Sequence, residues 1–74
     1  MSDLERFIEV LKIFNCVETK GDKHPSELGR NEYYIDNAED CIQIHLGTGK
    51  GYSGFFGIFT FDRKGKAETF GLFE

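Results

Sequence analysis

Apolar residues recur early in the chain on a helical period. Leu4, Phe7, Ile8, Leu11 and Phe14 fall at i, i+3, i+4, i+7 and i+10, one stripe on a 3.6-residue repeat. Val10 widens the stripe, while Glu5, Arg6, Glu9 and Lys12 take the other side. Ser2 or Asp3 precedes it as a capping residue, and Glu5 sits where the helix dipole favours an acid. The spacing predicts a helix ending near Phe14–Asn15. Ile13 falls on its polar side, exposed or beyond the regular turns.

The period then changes from 3.6 to 2. Residues 16–20 read as a short strand, and residues 21–28 as a polar loop with the only proline, Pro25. In residues 31–36, Tyr33 and Ile35 alternate with Glu32, Tyr34 and Asp36. Residues 37–40 form a turn. In residues 41–46, Ile42, Ile44 and Leu46 oppose Cys41, Gln43 and His45. Such alternation marks half-buried antiparallel strands. Residues 55–61 are an apolar strand, and residues 66–73 close the sheet. Between them, Asp62-Arg63-Lys64-Gly65 fits a type I turn followed by a left-handed glycine. The expected class is α+β: one N-terminal helix packed on a four- to five-stranded antiparallel β-meander, a single domain over residues 1–74.

One helix covers one face of a sheet. The strand at 55–61 is nevertheless apolar on both, with Phe55, Phe59 and Phe61 one way and Phe56 and Ile58 the other. Phe70 and Leu72 alternate with Phe73. Either a second chain covers the surplus face, or the sheet curls under the helix and long loop. Under the first reading Phe56, Ile58 and Phe73 are the candidate dimer face. The composition sharpens this point. Eight Phe in 74 residues, six of them after position 54, are many for a chain whose core is small by surface-to-volume scaling.

No apolar run approaches the roughly 20 residues of a membrane helix, and the acidic, amphipathic N-terminus is unlike a signal peptide. Cys16 and Cys41 make no disulfide framework, which points to a reducing cytoplasm. The net charge is −4, and residues 27–40 alone carry five acids against Arg30. Direct nucleic-acid binding needs a basic stripe, and only Arg63, Lys64 and Lys66 cluster, in a turn; it is not expected.

Catalytic constellations fail on spacing. Cys41 and His45 share a strand face about 13 Å apart, too far for a nucleophile and its base. Glu32 and Asp36 are separated by the same rise, while Glu39-Asp40 lies in an open turn. Cys16, His24, Cys41 and His45 lack the short spacings of a zinc site. They read as buried thiols and surface imidazoles. No catalytic residues, metal or cofactor are assigned.

Gly49-Lys50-Gly51-Tyr52-Ser53-Gly54 matches G-x-G-x-x-G, but a strand follows where the dinucleotide motif needs a helix. A phosphate-cradling loop of the Walker type also fails, since Lys50 is followed by glycine. Gly49, Lys50, Gly51 and Tyr52 remain a candidate contact for an anion, on a hairpin or a loop. The acidic segment is the other candidate: Glu32, Tyr34 and Asp36 line one face beside Glu39 and Asp40. Tyrosine supplies interface area, and clustered carboxylates steer toward a basic partner.

The C-terminal hairpin, Phe59-Thr60-Phe61-Asp62-Arg63-Lys64-Gly65-Lys66-Ala67-Glu68-Thr69-Phe70-Gly71-Leu72-Phe73-Glu74, resembles those of small phage and mobile-element accessory proteins. Among these are inhibitors of host defence of the anti-CRISPR type. The resemblance implies an inhibitor acting in the host cytoplasm by occupying a nucleic-acid-binding or partner surface. Three readings follow. The chain is a non-enzymatic protein-binding module of this inhibitor type. Alternatively it sequesters a small anionic metabolite or nucleotide at the glycine-rich segment, or it is a structural subunit of a larger complex.

Overall fold

The computed structural model describes residues 1–20, 28–29, 31–47 and 56–73, with Phe56 and Phe73 described by their backbone. Helix α1 spans Asp3–Ile13, and five strands follow: β1 Val17–Glu18, β2 Glu32–Asn37, β3 Cys41–Gly47, β4 Phe56–Asp62 and β5 Ala67–Phe73. They form one sheet in the order β1-β2-β3-β4-β5. The class is α+β, with one N-terminal helix.

Both ends of α1 are built from local chemistry. The Ser2 hydroxyl accepts the Glu5 N–H at 3.2 Å, and the Glu5 carboxylate accepts the Ser2 N–H at 3.0 Å. This capping box satisfies two donors that the first turn otherwise leaves open. At the other end Asn15 takes a positive φ of 60°. The Cys16 N–H then reaches the Leu11 carbonyl at 2.8 Å and the Asn15 N–H reaches that of Lys12 at 3.0 Å. That pair of bonds is a Schellman motif, with asparagine in the left-handed place. It turns the chain from the helix onto the sheet edge.

Strands β2 to β5 are an antiparallel meander, as their alternation predicts. β1 is the exception. It pairs parallel to β2, with Val17 beside Glu32 and Glu18 beside Tyr33. Parallel neighbours need a long crossover rather than a tight turn, and residues 19–31 supply one. The expected all-antiparallel meander is therefore corrected to a mixed sheet, and the strand expected over residues 16–20 shortens to two residues.

The helix lies on the face of Tyr33, Ile44 and Phe61, which with Leu11 form the buried core. Leu4, Phe7, Ile8, Cys16, Ile35, Ile42, Leu46 and Phe59 pack around it. Ile44, on the central strand, is fully enclosed. Phe7 joins the layers, its ring 4.4 Å from Phe59 and 5.8 Å from Phe61. Ile13 is exposed, as its place in the helical period requires.

The β4–β5 turn matches its sequence signature. The Gly65 N–H bonds the Asp62 carbonyl at 2.9 Å, and Gly65 has φ +90°. The Asp62 carboxylate accepts the N–H groups of Lys64 and Lys66, both at 2.9 Å. These bonds hold its pKa below the ordinary carboxylate value, the Lys66 N–H contributing most. The Leu4 N–H also bonds the Gly65 carbonyl at 2.8 Å, so the helix N-terminus is docked on this turn.

Candidate functional site

Register decides what shares the face opposite the helix. Tyr34 lies across from His45, and Asp36 across from Gln43. His45 in turn faces Ile58, and Gln43 faces Thr60. One row thus runs Tyr34–His45–Ile58 and the next Asp36–Gln43–Thr60. Among the described residues, no element packs over this face. Its carboxylates are confined to the β2 side and the strand ends.

The five acidic-face residues divide into two groups. Glu32, Tyr34 and Asp36 are half-buried on β2, whereas Glu39 and Asp40 are exposed in the β2–β3 turn. Glu32 has a structural task, because its carboxylate accepts the Gly29 N–H at 2.6 Å. That bond fastens the segment before β2 to the start of the strand. Asp36, Glu39 and Asp40 are thus the members best placed to meet another molecule. A cation stands beside them. Arg63, in the β4–β5 turn, donates to Asn37 Oδ1 at 3.2 Å and to the Ala38 carbonyl at 3.0 Å. It clamps the two turns at this end of the sheet and offsets part of the local negative charge.

Tyr34 is oriented by His45, whose ring meets it edge to face at 5.3 Å. The His45 Nε2 lies 3.3 Å from Gln43 Oε1. His45 is buried, at 9% exposure, which corrects the expectation of a surface imidazole. The reason is its position on the central strand, flanked by Tyr34 and Ile58 and next to Gln43 on the same face. Cys16 and Cys41 are free thiols, each only half-buried. Among the described residues, no three His, Cys, Asp or Glu side chains come together as metal ligands.

Among the described residues, none pairs with the edge of β2 beside Tyr34. β1 ends after two residues, and the Thr19 N–H makes the last rung to the Tyr33 carbonyl at 2.7 Å. Beyond it lies a shallow pocket of ≈ 490 Å³ lined by Glu18, Thr19, Lys20, Tyr34 and Ile35. An acidic, tyrosine-bearing strand edge next to a shallow depression suits a protein surface better than an enclosed substrate.

Of the candidate dimer face, Ile58 is half-buried on the side away from the helix, and Phe56 pairs with Phe73 across β4 and β5. The glycine-rich candidates Gly49, Lys50, Gly51 and Tyr52 lie outside the described residues. No described helix is long and apolar enough to cross a membrane. No family model, no curated protein and no solved structure matches the chain.

Proposed function

We propose that the protein is a non-enzymatic binding module that docks its acidic β2 edge onto a basic protein surface. The observation that carries this reading is the gathering of Tyr34, Asp36, Glu39 and Asp40 at one border of the sheet, with a half-buried tyrosine among the carboxylates. Carboxylates at a border keep their hydration until contact, so they raise the encounter rate with a positive patch. The tyrosine adds contact area at little entropic cost. Given the resemblance of the C-terminal hairpin to phage accessory proteins, the partner surface is one that otherwise holds nucleic acid, and the consequence is inhibition.

The test uses an RNA-guided nuclease, loaded with its guide, as the first basic probe. Sensor-based binding and target-DNA cleavage are measured with the wild type and with an Asp36→Lys, Glu39→Lys, Asp40→Lys variant. The reading expects binding that weakens with salt, loss of cleavage, and roughly 10- to 100-fold weaker binding for the variant at unchanged melting temperature. Binding that survives the triple reversal overturns the acidic-edge assignment.

A further inference from the structure

The outer edge of β5 is a second surface, distinct from the acidic border. Two hydrogen bonds far apart fix which backbone groups point outward there. In the β4–β5 turn the Asp62 N–H bonds the Lys66 carbonyl at 2.8 Å, so Asp62 turns its polar groups toward β5. Alternation along β4 gives Thr60 and Ile58 the same direction, and these pair with Thr69 and Gly71. At the opposite side of the sheet, the bond from Thr19 to the Tyr33 carbonyl directs Tyr33 toward β1. Following the register from Tyr33 to Leu46, Gly57 and Leu72 returns the same answer. Phe70 and Leu72 present their N–H and C=O groups away from the sheet.

Among the described residues, the same two are the large apolar side chains left bare on the helix side of the sheet, 58% and 61% exposed. One helix about 10 Å wide covers roughly two strands spaced about 4.8 Å apart. α1 is committed to the core of Tyr33, Ile44 and Phe61 on the inner strands and meets β5 at its start, where Asp3 holds Ala67, so Phe70 and Leu72 lie beyond its reach. The Phe70 ring stacks on Phe59 at 4.3 Å. Phe59 in turn lines an apolar groove of ≈ 290 Å³ whose walls include Phe7, Val10 and Ala67. Natural edge strands are usually guarded by charge, proline or a bulge. Here the one charge of β5, Glu68, sits at the register shift near its start, and Thr69 to Phe73 carry none.

We propose that β5 pairs antiparallel with β5 of a second copy, forming a two-fold dimer with one continuous ten-stranded sheet. Pairing about Gly71 sets Phe70 opposite Leu72 of the partner subunit, so that outward backbone groups meet in hydrogen-bonded rungs and bare side chains meet on one face. The self-complementary register favours a second copy as the occupant, and charge does not oppose it. Each copy carries a net charge of −4, with its excess on residues 27–40. Pairing at β5 puts the two β2 strands seven spacings apart, about 34 Å, several Debye lengths at physiological salt. From Thr69 to Phe73 the edge carries no charge to repel an identical strand.

Sedimentation velocity over protein concentrations from about 5 µM to about 500 µM tests this, since a short interface of this kind belongs to the weak class. The wild type is expected to double its mass across that range. Leu72→Pro removes an outward N–H without breaking the β4 ladder, and Leu72→Lys places a charge opposite the partner's Phe70; both are expected to remain monomeric. Should Leu72→Pro not fold, Leu72→Lys carries the test, because its side chain is exposed. Hydrogen exchange adds an independent reading. The amides of Phe70 and Leu72 slow about tenfold or more with rising concentration, while those of Thr69 and Gly71 are protected at every concentration. A wild type that stays monomeric throughout, or a dimer that survives both variants, overturns the proposal. A monomer would leave the edge to a strand of another protein.

Discussion

The Asp3 carboxylate accepts the backbone N–H of Ala67 at 2.9 Å, joining the first residue of the helix to the first residue of the last strand. With the Leu4 bond to Gly65, it fixes where α1 crosses the sheet. Asp3→Ala removes this acceptor at a solvent-accessible site, where the N–H regains water. The expected cost is about 1 kcal/mol, a fall in melting temperature of roughly 4–8 °C for a domain of this size. Asp3→Asn keeps an acceptor but loses the charge at the helix start, so it should fall between the two. An asparagine variant as damaged as the alanine one would assign the effect to the dipole instead.

Acid sensitivity follows from two exposed carboxylates. Bonds from Ser2 lower the Glu5 pKa from its ordinary 4.5, the backbone N–H contributing most. Those from the β4–β5 turn lower Asp62 from 3.8. A carboxylate whose folded pKa lies below its unfolded value stabilises the fold above the unfolded value, and loses that contribution as pH falls through the folded one. Melting temperature should therefore be unaffected by these groups above about pH 5 and decline below about pH 4.5. Asp62→Asn and Glu5→Gln should each lower the neutral-pH melting temperature and flatten the acid decline. Thermal unfolding followed from pH 7 to pH 2 checks both.

Gly47 marks a close approach. A methyl group there would stand 2.4 Å from the Gly29 carbonyl oxygen and 2.5 Å from Leu28 Cβ. Leu28 is among the most buried side chains, so the segment it belongs to would have to lift off the end of β3. Gly47→Ala is expected to destabilise by about 2–3 kcal/mol, through backbone displacement and partial loss of Leu28 burial. Chemical denaturation measures this. An unchanged midpoint would show that the Leu28–Gly29 segment contributes little to stability.

Much of this architecture is legible in the residues. The i, i+3, i+4 stripe, the Ser2–Glu5 cap and the Asp62–Gly65 turn are local, and local signals survive folding unchanged. Alternation sorted the two faces of β2, β3 and β4, because a period of 2 leaves no freedom once one face is buried. What escaped depends on lateral placement. The direction of β1 is set by its placement beside β2, not by its own composition. The period of α1 says which of its faces is buried but not which strands lie beneath it, so the exposure of Phe70 and Leu72 was hidden. His45 was misread because alternation assigns a face, whereas its burial arises from neighbours on two flanking strands. The candidate acidic face was legible as a cluster. Its inner division was not, since the bond from Gly29 to Glu32 and the clamp of Arg63 on Asn37 are geometric facts.

That division makes the last prediction. Glu32 and Asp36 alternate on the same face, yet Glu32 is tied to the Gly29 N–H. Truncating Glu32 leaves that N–H without its charged acceptor and releases the segment leading into β2. Glu32→Ala should therefore destabilise the fold by about 1–2 kcal/mol. Asp36→Ala, Glu39→Ala and Asp40→Ala should each stay within about 0.5 kcal/mol of the wild type, as surface changes usually do. In binding, the order should invert, with the three outer carboxylates governing the salt-dependent encounter with a basic surface and Glu32 acting only through stability. Paired measurements on all four variants, denaturation midpoint and association rate, separate the roles. If Glu32→Ala left stability intact and slowed association as much as the others, its carboxylate would belong with the outer three, and the acidic edge would extend along the whole of β2.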